Sequence, residues 1–439
     1  MNHIQKNNSF GKFLFLWSGE LIANIGSGIS AFGLSVYVFE LTARATDVAL
    51  VMLFAFLPPL LVMPLGGVLA DRFDRRVLML IADGFSVIGL LAMYFIVLFG
   101  NIEVWQIYIC VAASSVFTGL LSPAFKATIT DLLAEEQFSR GSGLMQLAGA
   151  AKFLVAPALA GILLSITDIK TLLIIDICTL FYTWPVTMFI KRTLGKSQIK
   201  SAGEKMLDNL ISGWKYVVTN KGLLNLVILL ALLNFFIGLL QTLFTPMVLV
   251  FSDAKTLGLI ETIGATGMLI GSIVLGFVSI RSKYVSIMFF FLSLTGASTI
   301  LIGTTTNPIM LTFFAFLFFL TISPSETCID VMMRKSTPND LQGRVWGFST
   351  FITQLGYILA YGLAGVLADY IFNPLLIEGG VLSSTVGRIV GTGQGRGIAF
   401  QFVISGMLMF VIAIIIYKNK SIREMEKRCS IDTNGNQGE

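Results

Sequence analysis

Long apolar stretches, separated by short charged or turn-rich segments, run through the chain almost from end to end. A helix crossing a hydrocarbon core of about 30 Å needs about 20 predominantly apolar residues. Stretches of that kind occur at 13–39, 48–70, 77–99, 104–125, 144–166, 171–190, 223–251, 257–280, 285–303, 308–329, 346–372 and 398–417, which predicts twelve spans. The first is long, is interrupted by Glu20 and Asn24, and has no small-residue cleavage site behind a short apolar core, so it reads as a retained span. The longest polar stretch, 191–222, separates six spans from six. Within it Leu207, Leu210, Ile211, Trp214 and Val218 recur at helical spacing, which predicts an amphipathic helix over 206–218 lying on the membrane surface. The expected organisation is an N-terminal bundle at 1–190, a linker at 191–222, a C-terminal bundle at 223–417 and a cytoplasmic tail at 418–439.

Composition agrees with the pattern and narrows the chemistry. Of the 439 residues 55% are hydrophobic and 13% charged, with a mean hydropathy of +0.83. Soluble domains carry about 25% charged residues, so this chain reads as an all-α integral membrane protein. A lone histidine, His3, leaves no histidine triad, histidine metal site or histidine relay. Cys110, Cys178, Cys328 and Cys429 stand singly, without the spacing of a zinc site or a disulfide framework. No cofactor or resident metal is expected. If both termini are cytoplasmic, 24 of the 30 Lys and Arg fall in inside segments, five outside, and Lys152 within a span. That bias predicts a multi-pass protein of the cytoplasmic membrane with both ends inside. It also explains the net charge of +5 by an anionic leaflet, without nucleic acid.

The two halves echo each other. Ser122-Pro123 late in the fourth span matches Ser323-Pro324 late in the tenth, and Leu159-Ala160-Gly161 in the fifth matches Leu363-Ala364-Gly365 in the eleventh. These near-equal offsets point to duplication. Gly67-Val-Leu-Ala-Asp71 also recurs, as Gly365-Val-Leu-Ala-Asp369, but at the opposite membrane face.

The loop after the second span, Gly67-Val-Leu-Ala-Asp71-Arg72-Phe-Asp74-Arg75-Arg76, resembles the cytoplasmic signature of the major facilitator superfamily. The likeness covers essentially the whole chain and is strongest to bacterial macrolide-efflux and siderophore-exporter permeases. It implies twelve transmembrane helices in two pseudo-symmetric six-helix bundles. It also implies a gating role for Gly67, Asp71, Arg72, Arg75 and Arg76, and a central path lined by the first, fourth, seventh and tenth helices. Asp74 stands where glycine is common. The fourth span lacks the arginine many drug antiporters carry there, and Ala156-Pro157 replaces the Gly-Pro of the antiporter pattern.

Ionisable groups in mid-bilayer cost at least about 2.5–3.5 kcal/mol on insertion scales, so each should face a partner or a cavity. Glu20, Asn24, Ser27 and Ser35 form a polar stripe along the first span, and Glu20 reads either as a substrate or proton site or as a structural hydrogen-bonding group. Lys152 and Asp176 read as an ion pair between the fifth and sixth spans, structural or proton-linked. Asp83 reads as structural, within reach of the basic loop. Glu261, Glu326, Asp330 and Asp369 lie near predicted span ends. Further stripes are Asn234, Gly238, Gln241 and Thr245 on the seventh span, Ser115, Thr118 and Ser122 on the fourth, and Thr350, Gln354, Tyr357 and Tyr361 on the eleventh. The glycine-rich run 391–397 reads as a flexible approach to the last span, not a phosphate loop.

The expected function is a monomeric secondary active transporter that exports a small amphipathic compound, drug or macrolide-like, by proton antiport with alternating access. Export or import of a siderophore, peptide or lipid-like metabolite is the second reading. A membrane enzyme acting on lipids is a remote third, because no polar catalytic cluster is evident.

Overall fold

A computed structural model describes residues 2–100, 102–193, 206–278, 280, 282–339 and 341–435. The protein is all-helical. Among the described residues twelve segments are long and apolar enough to cross a membrane: Phe10–Thr42, Ala45–Met63, Arg75–Phe99, Val104–Leu132, Phe138–Leu164, Ile169–Thr193, Lys221–Leu249, Ala254–Phe277, Tyr284–Thr304, Pro308–Lys335, Gln342–Leu376 and Arg396–Lys418. The number matches the sequence reading, but several helices run longer. The tenth continues from the expected residue 329 to Lys335, because its final turn carries Arg334 and Lys335, whose charged ends can reach out of an apolar layer along flexible stems.

Helix interruptions follow local chemistry. The fifth span is Phe138–Leu154 followed by Ala156–Leu164. Pro157 has no N–H for the carbonyl of Phe153, and the ladder breaks at Val155. In the fourth span Val104–Ser115 gives way to Thr118–Leu132, and the Thr118 hydroxyl donates to the carbonyl of Ser115 at 2.6 Å across the break. The eleventh span takes one π-helical turn, Ala368–Phe372, before its last α-helical residues Asn373–Leu376. Before the twelfth, Gly391, Gly393 and Gly395 take φ of 94°, 115° and 77°, values that a side chain would strain. Gly393 N–H donates to the carbonyl of Leu376 at 2.9 Å, so the expected flexible approach is a specific turn.

The chain divides into two compact units. The first holds Met1–Ala43, Leu50–Gly203 and Ala254–Thr262. Its main seam joins the first and sixth spans. Gly19, Gly26 and Gly33 recur every seven residues, two helical turns, and so lie on one face. They receive Val186, Thr179 and Leu172 of the sixth span, and a methyl added at Gly26 would lie 2.8 Å from Thr179 Cγ2. Phe13 and Leu16 extend this core to Leu78, Met79, Phe125 and Ile190. Near the signature loop, Asp74 Oδ1 accepts from the N–H of Arg76 at 3.0 Å and so caps the third helix. Arg75 pairs with Asp131 at 2.9 Å, and Arg76 is buried.

The second unit holds Arg44–Ala49, Glu204–Asp253 and Ile263–Glu439. The assignment moves short pieces of the second and eighth spans away from the expected bundle boundaries. In its ninth and twelfth spans a glycine meets backbone directly: Gly296 faces the carbonyl of Gly406 and Gly303 faces that of Ala399. The linker helix forms over Met206–Thr219 and packs on the second unit. Trp214 meets Phe348 edge to face at 5.3 Å, and the Tyr216 hydroxyl donates to the carbonyl of Ser336 at 3.1 Å. Residues 194–205 of that linker lie outside the described residues. The segment expected to be a tail contains a helix, Lys420–Gly435. Its Ile422 and Met425 are buried, and Glu426 Oε1 accepts from Val285 N–H at 2.9 Å, capping the ninth span.

Asp369 has a more specific place than a solvated helix end. Its carboxylate accepts from the backbone N–H groups of Ala45 (3.2 Å) and Thr46 (2.8 Å) and from the Thr46 hydroxyl (2.7 Å). These are the unsatisfied donors of the helix Ala45–Arg72, where a negative charge also meets the positive end of the dipole. Beside it Arg44 donates to the Tyr370 hydroxyl at 2.8 Å.

Three stability outcomes follow, each read by thermal unfolding of the purified protein. Gly26→Ala is expected to destabilise by about 1–3 kcal/mol through overpacking. Gly149→Ala, whose added methyl meets nothing within 4 Å, should be neutral or stabilising by up to about 1 kcal/mol. Asp369→Ala should cost about 0.5–2 kcal/mol, the loss of a helix cap.

Candidate functional site

Of the four candidate polar positions in the first unit, Glu20 and Asn24 lie on the first span and Lys152 and Asp176 pack against it. Glu20 and Asn24, one turn apart, bond to each other: Asn24 Nδ2 donates to Glu20 Oε1 at 3.1 Å and to its carbonyl at 2.9 Å. Asp83 of the third span lies within the electrostatic reach of Glu20. It is buried and accepts from the Thr183 hydroxyl of the sixth span at 2.7 Å. This bond ties Asp83 to the bundle interior rather than to the basic loop. Two carboxyl groups therefore share one interior region of this unit, a setting that favours capture of a proton or another cation.

Lys152 and Asp176 differ from the expected contact pair. They feel each other's charge, yet among the described residues they form no direct ion pair. The first span explains the separation. Gly28 receives the Lys152 backbone and stem, while Asp176 lies beside Ser30 two residues on. Asp176 is only 4% exposed, and neither its Oδ1 nor Ser30 Oγ completes a hydrogen bond. A buried carboxylate oxygen without a donor is costly, so this group is poised to gain a partner.

In the second unit the seventh and eleventh polar stripes face one another. Asn234 Nδ2 donates to the carbonyl of Thr353 at 3.1 Å, and the Tyr361 hydroxyl donates to Gln241 Oε1 at 3.2 Å. Gly238 between them makes room for Tyr357, whose ring lies 5.9 Å from that of Tyr361. These side chains knit a helix seam. Gln354 sits on the same span without a hydrogen bond among the described residues. The side chains of Asp71 and Arg72 and the surroundings of Gly67 lie outside what is described; Arg75 and Arg76 are placed as given above.

One group was missed. Glu326 lies more than two turns before the end of the tenth helix, not near a span end. It lines a cavity of about 330 Å³ with Leu230, Thr327, Asp330, Met333 and Trp346. The signal was the acidic pair Glu326 and Asp330, one helical turn apart, but a span ending at 329 placed both at the interface.

A sequence model of the Major Facilitator Superfamily matches residues 16–361, most of the chain. The protein belongs to this superfamily. It is a membrane transporter, not an enzyme. Macrolide efflux protein A of Streptococcus pyogenes is 24% identical over 430 residues, covering 96% of this chain and 98% of that one. The uncharacterized MFS-type transporter YfiS of Bacillus subtilis is 23% identical over 433 residues, covering 94% of each. The fold is shared with a bacterial homologue of the iron transporter ferroportin in its inward-facing state (14% identity, TM-score 0.68, 93% and 99% coverage). It is shared also with the POT family transporter PepTSo (12% identity, TM-score 0.70, 95% and 98% coverage).

Thr183→Val tests the Asp83 environment, since it removes the hydroxyl donor while keeping the volume. Leaving that buried carboxylate short of a donor should cost about 1–3 kcal/mol in thermal unfolding, whereas Thr304→Val, on an exposed hydroxyl, should change little.

Proposed function

We propose that the protein is a secondary active transporter of the cytoplasmic membrane that exports a small amphipathic compound, drug or macrolide-like, in exchange for protons. Both termini face the cytoplasm, as the distribution of basic residues argues. The chain acts as a monomer by alternating access, since one polypeptide supplies all twelve spans. Full-length similarity to a macrolide efflux protein supports the direction and the substrate class. The observation that carries the coupling is the carboxyl group of Glu20 in the interior of a membrane-spanning unit, bonded to Asn24 and within reach of Asp83. A carboxyl in such a place exchanges a proton at modest cost when the site opens to water. Lys152 and the orphaned oxygen of Asp176 form a second region where protonation changes the local charge balance. Asn234, Gln241, Gln354 and Tyr357 supply polar groups in the other unit for the substrate.

Expression in an efflux-deficient bacterial host should lower accumulation of a labelled macrolide several-fold, and a proton uncoupler should abolish the difference. Glu20→Gln should behave like the uncoupler at equal protein level. Extrusion that survives both treatments would overturn proton antiport.

A further inference from the structure

The cavity at Glu326 carries a more specific reading of what the second unit binds, one that rests on the transporter reading above. Its walls come from three spans. Leu230 belongs to the seventh, Glu326, Thr327, Asp330 and Met333 to the tenth, and Trp346 to the eleventh. Apolar, sulfur-bearing and aromatic surface thus surrounds two carboxylates.

The carboxylates are not equivalent. Asp330 is met by Arg334, whose guanidinium approaches it at 3.5 Å and lies 5.9 Å from the centre of the Trp346 ring. The chain's own cation therefore occupies the Asp330 and Trp346 side and shows that this wall accommodates positive charge beside an aromatic face. Glu326, one turn earlier, has no such partner: among the described residues it forms no hydrogen bond and no ion pair. Tyr357 of the eleventh span lies in its field and brings no positive charge. The Thr327 hydroxyl is already committed to the carbonyl of Ser323 at 2.9 Å. A carboxylate within a membrane-spanning helix, lining a cavity and left without a counter-charge, is a site waiting for a cation.

We propose that this cavity binds an organic cation: a protonated amine or quaternary centre against Glu326, with its apolar body against Leu230, Met333 and Trp346. The volume of about 330 Å³ fits one charged, apolar moiety, at the small end of ligand pockets. An anion would meet two carboxylates and is excluded. A neutral compound of the same shape gains the apolar wall and leaves Glu326 uncompensated.

The test uses the purified full-length protein in lipid nanodiscs and equilibrium dialysis, which reads binding without transport. The probes are tetraphenylphosphonium, whose charge is permanent, and triphenylphosphine oxide, an uncharged molecule with a similar aromatic body. Glu326→Gln should weaken tetraphenylphosphonium binding about tenfold or more, the loss of one charge-assisted contact, with little change for the oxide. Glu326→Asp, which keeps the charge, should retain most of the cation's affinity. Trp346→Ala should weaken both probes. Unchanged cation binding in Glu326→Gln overturns the site, and so does an equal loss of both probes in a variant that elutes and unfolds like the parent. If instead the accumulation assay shows no proton-linked extrusion while the Glu326→Gln loss is seen, the antiport reading falls and the cation site stands.

Discussion

Close approach of helix backbones at small residues is the contact on which this architecture rests. In lipid the surroundings are as apolar as the side chains, so burying a leucine between helices gains little, and association depends on tight packing and polar contacts. The glycines at 19, 26 and 33 provide that packing for the first and sixth spans, and the pairs 296 with 406 and 303 with 399 provide it for the ninth and twelfth. Candidate polar groups of the first unit are arranged around this seam. Glycines 26 and 28 draw the sixth and fifth spans onto the first, bringing Asp176 beside Ser30 and the stem of Lys152 against Gly28. The place of the candidate groups is thus a by-product of how close the helices come.

The internal echo of the sequence acquires a physical meaning at two glycines. Gly161 sits against the carbonyl of Ala254, where the eighth span begins, and Gly365 sits against the backbone of Ala45 and Thr46, where the second begins. Matched residues perform the same operation, receiving the first turn of another helix without a side chain in the way. Asp369 adds a charge to the second of these contacts, accepting from the donors that any helix start leaves free. The repeated Gly-Val-Leu-Ala-Asp string therefore occurs at both ends of the helix Ala45–Arg72: once in its own last turns, and once in the eleventh span, whose aspartate caps its first turn.

Span number and the division into halves were legible because hydropathy and charge act over about twenty residues and tolerate local error. Single-residue roles were less so. Hydropathy ends the tenth span six residues early, since Arg334 and Lys335 look like a boundary although their stems extend a helix. The longer helix places Glu326 more than two turns from its end. The seven-residue spacing of glycines in the first span defines a face, but nothing in one sequence names the partner of a glycine face. The helix Lys420–Gly435 was hidden by its charge: Ile422 and Met425 are few apolar residues among many ions, enough to dock a helix but not to raise a window average.

Membrane-embedded charge then separates into groups that the fold satisfies and groups that it leaves open. Asp83 has Thr183, Asp369 has a helix start, and Arg75 has Asp131. Such groups have found what water would have given them, and removing a partner mainly costs stability. Among the described residues Glu326 has no counter-charge, and Asp176 keeps one oxygen without a donor. Retaining an unsatisfied charge in a low-dielectric interior has a cost that a purely structural residue would not need to bear, because an apolar side chain of similar volume would pack as well. The incomplete sites are therefore the ones where a proton or a ligand can change the energy of the protein most. In a transporter that difference between loaded and empty states is what biases one conformation over another.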